Sequence, residues 1–422
     1  MMHAMLKAQK KPSILLFVVF LSVLLSTFFS TATLFKPDCA YGEPEQSLDR
    51  GEDLESGVGI IQLGENVPET SQPTLSDTQT WMIADNNGIP LAGSNELKEC
   101  NPASITKVMT AMVALDAHIP ADELITIPQL PTDWDNAQLA GFEPGSVATF
   151  NDLMTVMLVY SANDAAYSIA CAIGGSEENF AELMNQKAAR LGMEHSHFVN
   201  ASGMAHDGHY SCAFDLCRMG RYAITNYDFI RATVRKQACT IVINGTEKTY
   251  YATDHLFGVY TPIIGIKTGA LNNEYMFLGA AESDNLTLYS CVLQCSHEQG
   301  RFSDTETLFN WAYNNYYSRI TFAVSGQQAG YAPFAWRFGY RVTLTYPNTA
   351  QGYINQRQHS DAAITANRAQ LNHYVVPGTS VGYVTWREKA RLVAEANVIA
   401  TQQVTQNPPY NPLAPRLGFW VK

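Results

Sequence analysis

Three short stretches of this chain carry residues that could share one acyl-transfer site: Ser104-x-x-Lys107, Ser161-x-Asn163 and Lys267-Thr268-Gly269. A serine hydroxyl is a weak nucleophile until a base takes its proton. Lys107 can be that base only with a lowered pKa, and burial beside a second cation, Lys267, would lower it. Ser161 can relay the proton to a leaving amine. Asn163 can hold a substrate amide and orient Lys107. A strand ending in Lys267-Thr268-Gly269 offers backbone pairing to an extended substrate, with an ammonium and a hydroxyl for a carboxylate. Gly269 has no side chain, so a substrate can approach closely. The backbone N–H groups of Ser104 and Ala270 could then form an oxyanion hole. Taken singly the motifs are weak, since a Ser-x-x-Lys arises by chance about once in a chain this long. Their order and settings make them specific: a helix start, a loop between helices and an apolar strand.

The elements that must hold these residues can be read from capping and periodicity. Asn101 is an N-cap and Pro102 suits the first helical position. Ile105, Val108, Met109, Met112 and Leu115 then recur at helical spacing, which buries the helix and puts Ser104 and Lys107 on one face of its first turn. Before it, residues 80–85 read as a strand, with Asn86-Asn87-Gly88 turning into a second. Thr149, with Asp152 three residues on, starts a helix that stops at Ser161-Ala162-Asn163-Asp164. Two more helices follow, over 165–173 and from Ser176 to about 191, with Gly192 after the second. From about Thr240 the period becomes two. Strands are expected over 240–243, 263–269, 275–281 and 286–294, then a helix from a Ser303…Glu306 capping box to about residue 317. This order predicts an α+β domain over 75–317, its antiparallel sheet assembled from both ends of the segment and flanked by helices. Residues 318–405 read as a small all-β domain, with strands over 320–324, 336–346, 373–376 and two runs within 380–400. A proline-rich tail occupies 406–422.

Composition sets the class. The 422 residues are 46 % apolar and 16 % charged, with a formal net charge of −12 and no basic stripe, which argues against nucleic acid as a partner. Lys7, Lys10 and Lys11 precede an apolar run over 13–29, so 1–42 reads as a signal peptide or N-terminal anchor, with Ala40-Tyr41-Gly42 as a small-x-small cleavage site. Residues 43–74 read as a disordered acidic linker. The eight cysteines show no CxxC and no zinc-ligand spacing, and their pairing cannot be read; Cys171 and Cys291 look like small buried apolar residues. No metal or other cofactor is expected.

The trio resembles the signature of the penicillin-binding proteins and class A β-lactamases. The stretches 102–111, 161–166, Met184-Asn185 before Leu191-Gly192-Met193, and 198–204 (Phe-Val-Asn-Ala-Ser-Gly-Met) narrow it. Over about 78–317 the chain resembles the exported D-alanyl-D-alanine carboxypeptidases, the low-molecular-mass penicillin-binding proteins. The resemblance implies a DD-peptidase/β-lactamase-like fold, with the site where the sheet meets an all-helical subdomain. It implies hydrolysis of the terminal D-Ala–D-Ala bond of peptidoglycan stem peptides at the extracytoplasmic face of a bacterial membrane or in its wall. It also implies no metal, acylation by penicillins and other β-lactams, and Arg301 as a ligand of the terminal carboxylate. The all-β domain is similar to one that many members carry. The chain departs from the family after Gly269: a Thr two residues on and an Ala-Gly soon after are expected, and the sequence reads Ala270-Leu271-Asn272-Asn273-Glu274-Tyr275. The family's C-terminal amphipathic membrane helix is also replaced by the proline-rich tail. Two other readings share the motifs. A class A-like β-lactamase would need a Glu-x-x-Leu-Asn after Ser161, and the nearest string is Glu182-Leu183-Met184-Asn185. A catalytically impaired wall-binding scaffold would keep the fold without the chemistry.

Overall fold

The computed structural model describes residues 72–132, 134, 137–333, 341–356, 361–366 and 375–403. The leader over 1–42, nearly all of the acidic stretch and the tail from 404 lie outside the described residues.

Strand β1 (Thr80–Ala84) is buried along its whole length and pairs antiparallel with β2 (Pro90–Ser94). A single 3-10 turn over Ala103–Ile105 leads into α1 (Thr106–Asp116). A small ribbon, β3 (Leu124–Thr126) with β4 (Val147–Thr149), precedes the helices α2 (Phe150–Val159), α3 (Asn163–Gly174), α4 (Glu177–Leu191), α5 (Ala213–Asn226) and α6 (Asp228–Thr233). A separate hairpin, β5 (Ala238–Ile243) and β6 (Thr246–Tyr251), leads to the meander β7 (Ile263–Leu271), β8 (Glu274–Ser283) and β9 (Leu286–Cys295). Helix α7 (Glu298–Trp311) closes this part.

The main sheet has five strands in the order β2-β1-β9-β8-β7. It is built from both ends of the segment, as the sequence predicts, and β7 is left as an open edge. The period of two sends alternate residues to opposite faces. Met82, Ile266 and Leu278 join the core under α1 to α6, and Trp81, Ile83 and Phe277 join the core under α7. Local signals set the helix ends. Thr149 Oγ1 accepts the Asp152 N–H at 3.0 Å, and Ser176 Oγ accepts the Asn179 N–H at 3.2 Å. Gly175 and Gly192, at φ 75° and 68°, end α3 and α4.

Helix α7 starts five residues before the expected capping box. His297 is its N-cap residue, and Ser303 lies inside the helix, where its hydroxyl donates to the Gly300 carbonyl at 3.2 Å. The start is fixed from a distance. Asp77 accepts the backbone N–H groups of Ser296 and His297, while Asp304 accepts those of Ser76, Asp77 and Thr78. These two carboxylates strap the stretch before β1 onto α7. Sequence periodicity carries no signal for such long-range caps. Helix α5 is missing from the sequence expectation. Ala213, Leu216, Cys217, Gly220, Ala223 and Ile224 recur at helical spacing on one face, so the amphipathic signal was present in the sequence and went unread. Gly220 lets α5 lie close to the sheet: a Cβ there would stand 3.0 Å from the Ile266 side chain.

The C-terminal part is all-β. It comprises β10 (Tyr317–Ala323), β11 (Gln328–Pro333), β12 (Arg341–Thr345), β13 (Ala350–Asn355), β14 (Asp361–Ala366), β15 (Ser380–Glu388) and β16 (Arg391–Ala400). Five of these strands pair in the order β11-β12-β16-β15-β14 around their own core, which holds Phe322, Tyr346 and Trp386. The expected strand over 336–346 is seen from Arg341 to Thr345. Residues 334–340, and His373 and Tyr374 of the 373–376 run, lie outside the described residues. The seven cysteines from Cys100 to Cys295 are unpaired; Cys291 is buried as expected, whereas Cys171 is only partly buried.

Candidate active site

Ser104 sits in the 3-10 turn ahead of α1, one turn earlier than a continuous helix would place it. Pro102, not Asn101, is the N-cap residue of this turn, because Asn101 Oδ1 instead closes a tight turn by accepting the Ala103 N–H at 2.8 Å. Ala103 is held in the left-handed region at φ 48°, a strained position for a residue with a Cβ and of the kind that clusters at functional sites. Behind it, α1 is buried from Thr106 through Ala114, so Lys107 has no route to solvent along its own helix. Its Nζ donates to Ser104 Oγ at 2.9 Å, to Asn163 Oδ1 at 2.6 Å and to the Ser202 carbonyl at 2.7 Å. Burial, and then the charge of Lys267, push the Lys107 pKa well below the ordinary lysine value, with Asp164 opposing. The amine is thus bonded to the hydroxyl that it would deprotonate.

The second motif forms the corner between α2 and α3. Ser161 is buried at φ 73°, another strained position, and Asn163 is the first residue of α3 rather than part of a loop. Asp164 explains how the corner is held. Its carboxylate accepts the N–H groups of Ala140, Gly141 and Phe142 at 3.0, 2.8 and 3.1 Å, so the 140–142 strip is pinned to α3. Asp164→Ala would leave two buried donors, Ala140 and Phe142, and the more exposed Gly141 donor unpaired, the buried ones each worth about 1–3 kcal/mol. Urea unfolding is expected to show a loss of about 3–5 kcal/mol; a loss below about 1 kcal/mol would show that the strip is held by something else.

The third motif lies on the open edge of the sheet. The unusual residues after Gly269 are its turn. Leu271 pairs with Glu274, and Asn272 and Asn273 both have positive φ, 52° and 62°, a two-residue type I′ hairpin. In such a turn the flanking Leu271–Glu274 pair is the hydrogen-bonded one. Alternation along the ladder then leaves the N–H and C=O of Thr268 and Ala270 facing outward, into the cleft. Lys267 is buried, and burial followed by the charge of Arg301 pulls its pKa down to about 7, with Asp254 opposing. Gly269 is needed here: a Cβ would lie 2.6 Å from Met276 and 3.0 Å from the Pro102 carbonyl. Arg301 is inside α7 and only 4 % exposed, with Nη1 donating to the Gly269 carbonyl at 2.8 Å and Nη2 to Glu298 at 2.8 Å. It therefore steadies the edge strand as well as facing the cleft.

Ser104, Ser161, Asn163, Thr268, Gly269, Ala270 and Arg301 all line one cavity of ≈ 820 Å³, and Lys107 lies directly behind Ser104. The sequence reading did not assign three contributors. The Ser202 carbonyl helps to hold Lys107. Thr110 Oγ1 donates to the Ala201 carbonyl at 2.6 Å. His209 Nδ1 accepts the Val199 N–H at 3.1 Å, so its Nε2 carries the proton and donates to Thr106 Oγ1 at 2.8 Å. Burial pushes the His209 pKa down to about 3, which keeps the ring neutral. These bonds strap the 198–204 loop onto α1. The Ser202-Gly203-Met204 stretch was the available signal. Among the described residues, no group of three His, Cys, Asp or Glu could hold a metal, and no helix is long and apolar enough to cross a membrane.

The sheet and helical layers have counterparts among solved structures. Penicillin-binding protein 5 from Haemophilus influenzae shares the fold with a TM-score of 0.56, 21 % identity, and coverage of 79 % of this chain and 99 % of that one. The family model described as D-alanyl-D-alanine carboxypeptidase matches residues 66–297, and the chain belongs to that family. Among curated relatives, the D-alanyl-D-alanine carboxypeptidase DacB2 of Mycobacterium tuberculosis is 32 % identical over 260 residues, 60 % of this chain and 87 % of that protein. DacF of Bacillus subtilis is 26 % identical over 254 residues; the match spans 58 % of this chain and 64 % of DacF, just under two thirds.

Proposed function

We propose that this protein is a serine-type D-Ala-D-Ala carboxypeptidase that acts outside the cytoplasmic membrane on peptidoglycan stem peptides, and that Ser104 is its nucleophile. The observation that carries the reading is the environment of Lys107: an amine with a lowered pKa, bonded to Ser104 Oγ and held from two other sides. Neutral Lys107 takes the Ser104 proton as Oγ attacks the penultimate D-Ala carbonyl. The N–H groups of Ser104 and Ala270 receive the developing oxyanion, each such donor typically contributing about 10²–10³ in rate. Ser161 delivers the proton to the leaving D-Ala nitrogen, and Asn163 holds both Lys107 and the substrate amide. Water then attacks the acyl carbonyl, Lys107 takes its proton and passes it to Ser104 Oγ as the acyl–Oγ bond breaks, which releases the shortened peptide. The outward groups of Thr268 and Ala270 pair with the extended peptide, while Lys267, Thr268 and Arg301 bind the terminal carboxylate. A β-lactam presents the same carbonyl and carboxylate, so it acylates Ser104. The basic and apolar leader over 1–42 directs export, and the acidic linker spaces the enzyme from the membrane if the leader is retained.

Intact mass spectrometry after penicillin treatment, with peptide mapping, tests this. One penicilloyl adduct on the Ser104 peptide is expected, together with D-Ala release from diacetyl-Lys-D-Ala-D-Ala. Folded protein that takes no adduct and releases no D-Ala sinks the proposal and favours the scaffold reading. Deacylation is expected to be slow. The one acid among the described cavity residues is Glu298, which is paired with Arg301, so no carboxylate in that wall is placed to activate water as a β-lactamase requires. Nitrocefin should give a stoichiometric burst, and steady turnover would point to a β-lactamase instead.

A further inference from the structure

The strand lysine has a carboxylate behind it that neither the motifs nor the resemblance assigns. Asp254 lies in the connection between β6 and β7. Its Oδ1 accepts the Leu256 N–H at 2.8 Å and so shapes the turn. Its Oδ2 is buried and has no hydrogen-bond partner among the described residues. Asp254, Lys267, Thr268, Thr253 and Lys236 line a second, small cavity of ≈ 10 Å³, which shares Thr253 and Thr268 with the lining of the Ser104 cavity. That is about the space of one water, which needs at least two polar partners, and a carboxylate oxygen and an ammonium supply them. The hydrogen bond given for Lys267 Nζ is to the neighbouring Thr268 carbonyl at 3.2 Å, which leaves the ammonium with N–H groups to spare.

We propose that Asp254 is a positioning residue: through one water in this cavity it is the counter-ion that holds the Lys267 ammonium in place and charged. The inference rests on the proposed acyl-enzyme reading for its kinetic consequence, although not for its first test. The charged groups around Lys267 are Arg301 on α7, Lys107 on α1, Asp254 on the β6–β7 connection and Lys236, which lines the same small cavity from the α6–β5 connection; Asp164 on α3 acts on Lys107. Three of these groups are cations, and burial also works against the charge of Lys267. Asp254 is the carboxylate that opposes them. If Lys267 loses its proton, the substrate carboxylate loses its ammonium. Lys107 also loses the neighbouring charge that lowers its own pKa.

Asp254→Asn is the informative change, since its amide oxygen can still accept the Leu256 N–H and preserve the turn. The first readout is an NMR titration of the lysine Nζ and Cε signals, with Lys267 assigned by the signal that Lys267→Arg removes. The Lys267 pKa is expected to fall by about 1–3 units in Asp254→Asn. The second is the pH profile of second-order acylation by a fluorescent penicillin. Its alkaline limb should move to lower pH by a similar amount, while the rate on the acid side stays within about twofold of wild type. An unchanged Lys267 titration overturns the proposal. So does a uniform loss of rate at every pH, which is what a merely structural carboxylate would give. If wild-type protein takes up no penicillin, the acyl-enzyme reading fails and the NMR titration still decides the role of Asp254.

Discussion

Ser104→Ala protein stays folded and forms no covalent adduct with penicillin, and Lys107→Met protein forms the same adduct about 10²–10⁴-fold more slowly. The two changes separate nucleophile from base. Ser104 is the middle residue of the 3-10 turn and lines the cavity, so its loss removes the attacking atom and little packing. Lys107 is fully buried, and methionine is an unbranched side chain of similar length that can fill its channel. Replacing lysine relieves the burden of a buried amine but leaves Asn163 Oδ1 and the Ser202 carbonyl without their donor. These effects oppose each other, so near-UV circular dichroism should change little while the rate collapses. The pH profile checks the assignment. Lys107 has a lowered pKa, so it is already an effective base below the ordinary lysine range, and wild-type acylation rises with pH as it deprotonates. The rate falls again as Lys267, with a pKa of about 7, loses the charge that holds the substrate carboxylate. Lys107→Met should flatten the acid limb. Acylation of Lys107→Met at the wild-type rate, with an unchanged profile, would remove Lys107 from the mechanism.

How much of this was legible depends on the range of the interaction. The Ser104 helix, the caps at Thr149 and Ser176 and the breaks at Gly175 and Gly192 are local, and each appears close to where its residue type puts it. The sheet was legible too, because period-two runs at both ends of the segment have one simple way to pair. The convergence of three motifs on one cavity followed from their settings on a helix start, a corner and an edge strand. What was not legible depends on distant partners. The start of α7 is fixed by Asp77, some 220 residues away along the chain. Helix α5 is a different case: its buried face, with Leu216, Met219 and Ile224, is patterned at helical spacing and was legible but not read. The segment after Gly269 looks like damage to the pattern when compared with the family. In the fold it is a hairpin turn, because Asn272 and Asn273 accept the positive φ that a two-residue connection demands. Its tightness sets which groups of β7 face the cleft. The buried Asp254 carries no motif, and only the fold brings it behind Lys267.

Gly203→Ala is expected to damage the site more than its size suggests. Gly203 has φ 84°, where a Cβ is strained, a penalty of about 1–3 kcal/mol for an ordinary residue. The larger effect is steric. A Cβ on Gly203 would stand 1.8 Å from the Ala103 carbonyl oxygen and 2.9 Å from Thr106 Oγ1. Neither atom can yield freely. The Ala103 peptide is tied by Asn101 and leads directly into Ser104, and Thr106 Oγ1 is held by His209. The 198–204 loop must therefore retreat from α1, and the Ser202 carbonyl retreats with it. Lys107 loses one of its three acceptors, and Ser104 shifts on its strained turn. A displacement of about 1 Å in a reacting group lowers rate by about 10²-fold. Stopped-flow acylation of Gly203→Ala should show at least that loss, with thermal unfolding at lower temperature. Gly208→Ala is the matched control, since a Cβ there would come no closer than 3.5 Å to the His206 and Val199 side chains. Acylation of Gly203→Ala at the wild-type rate would mean that the loop can part from α1 without moving Ser104, and the tight contact would then have no part in holding the nucleophile.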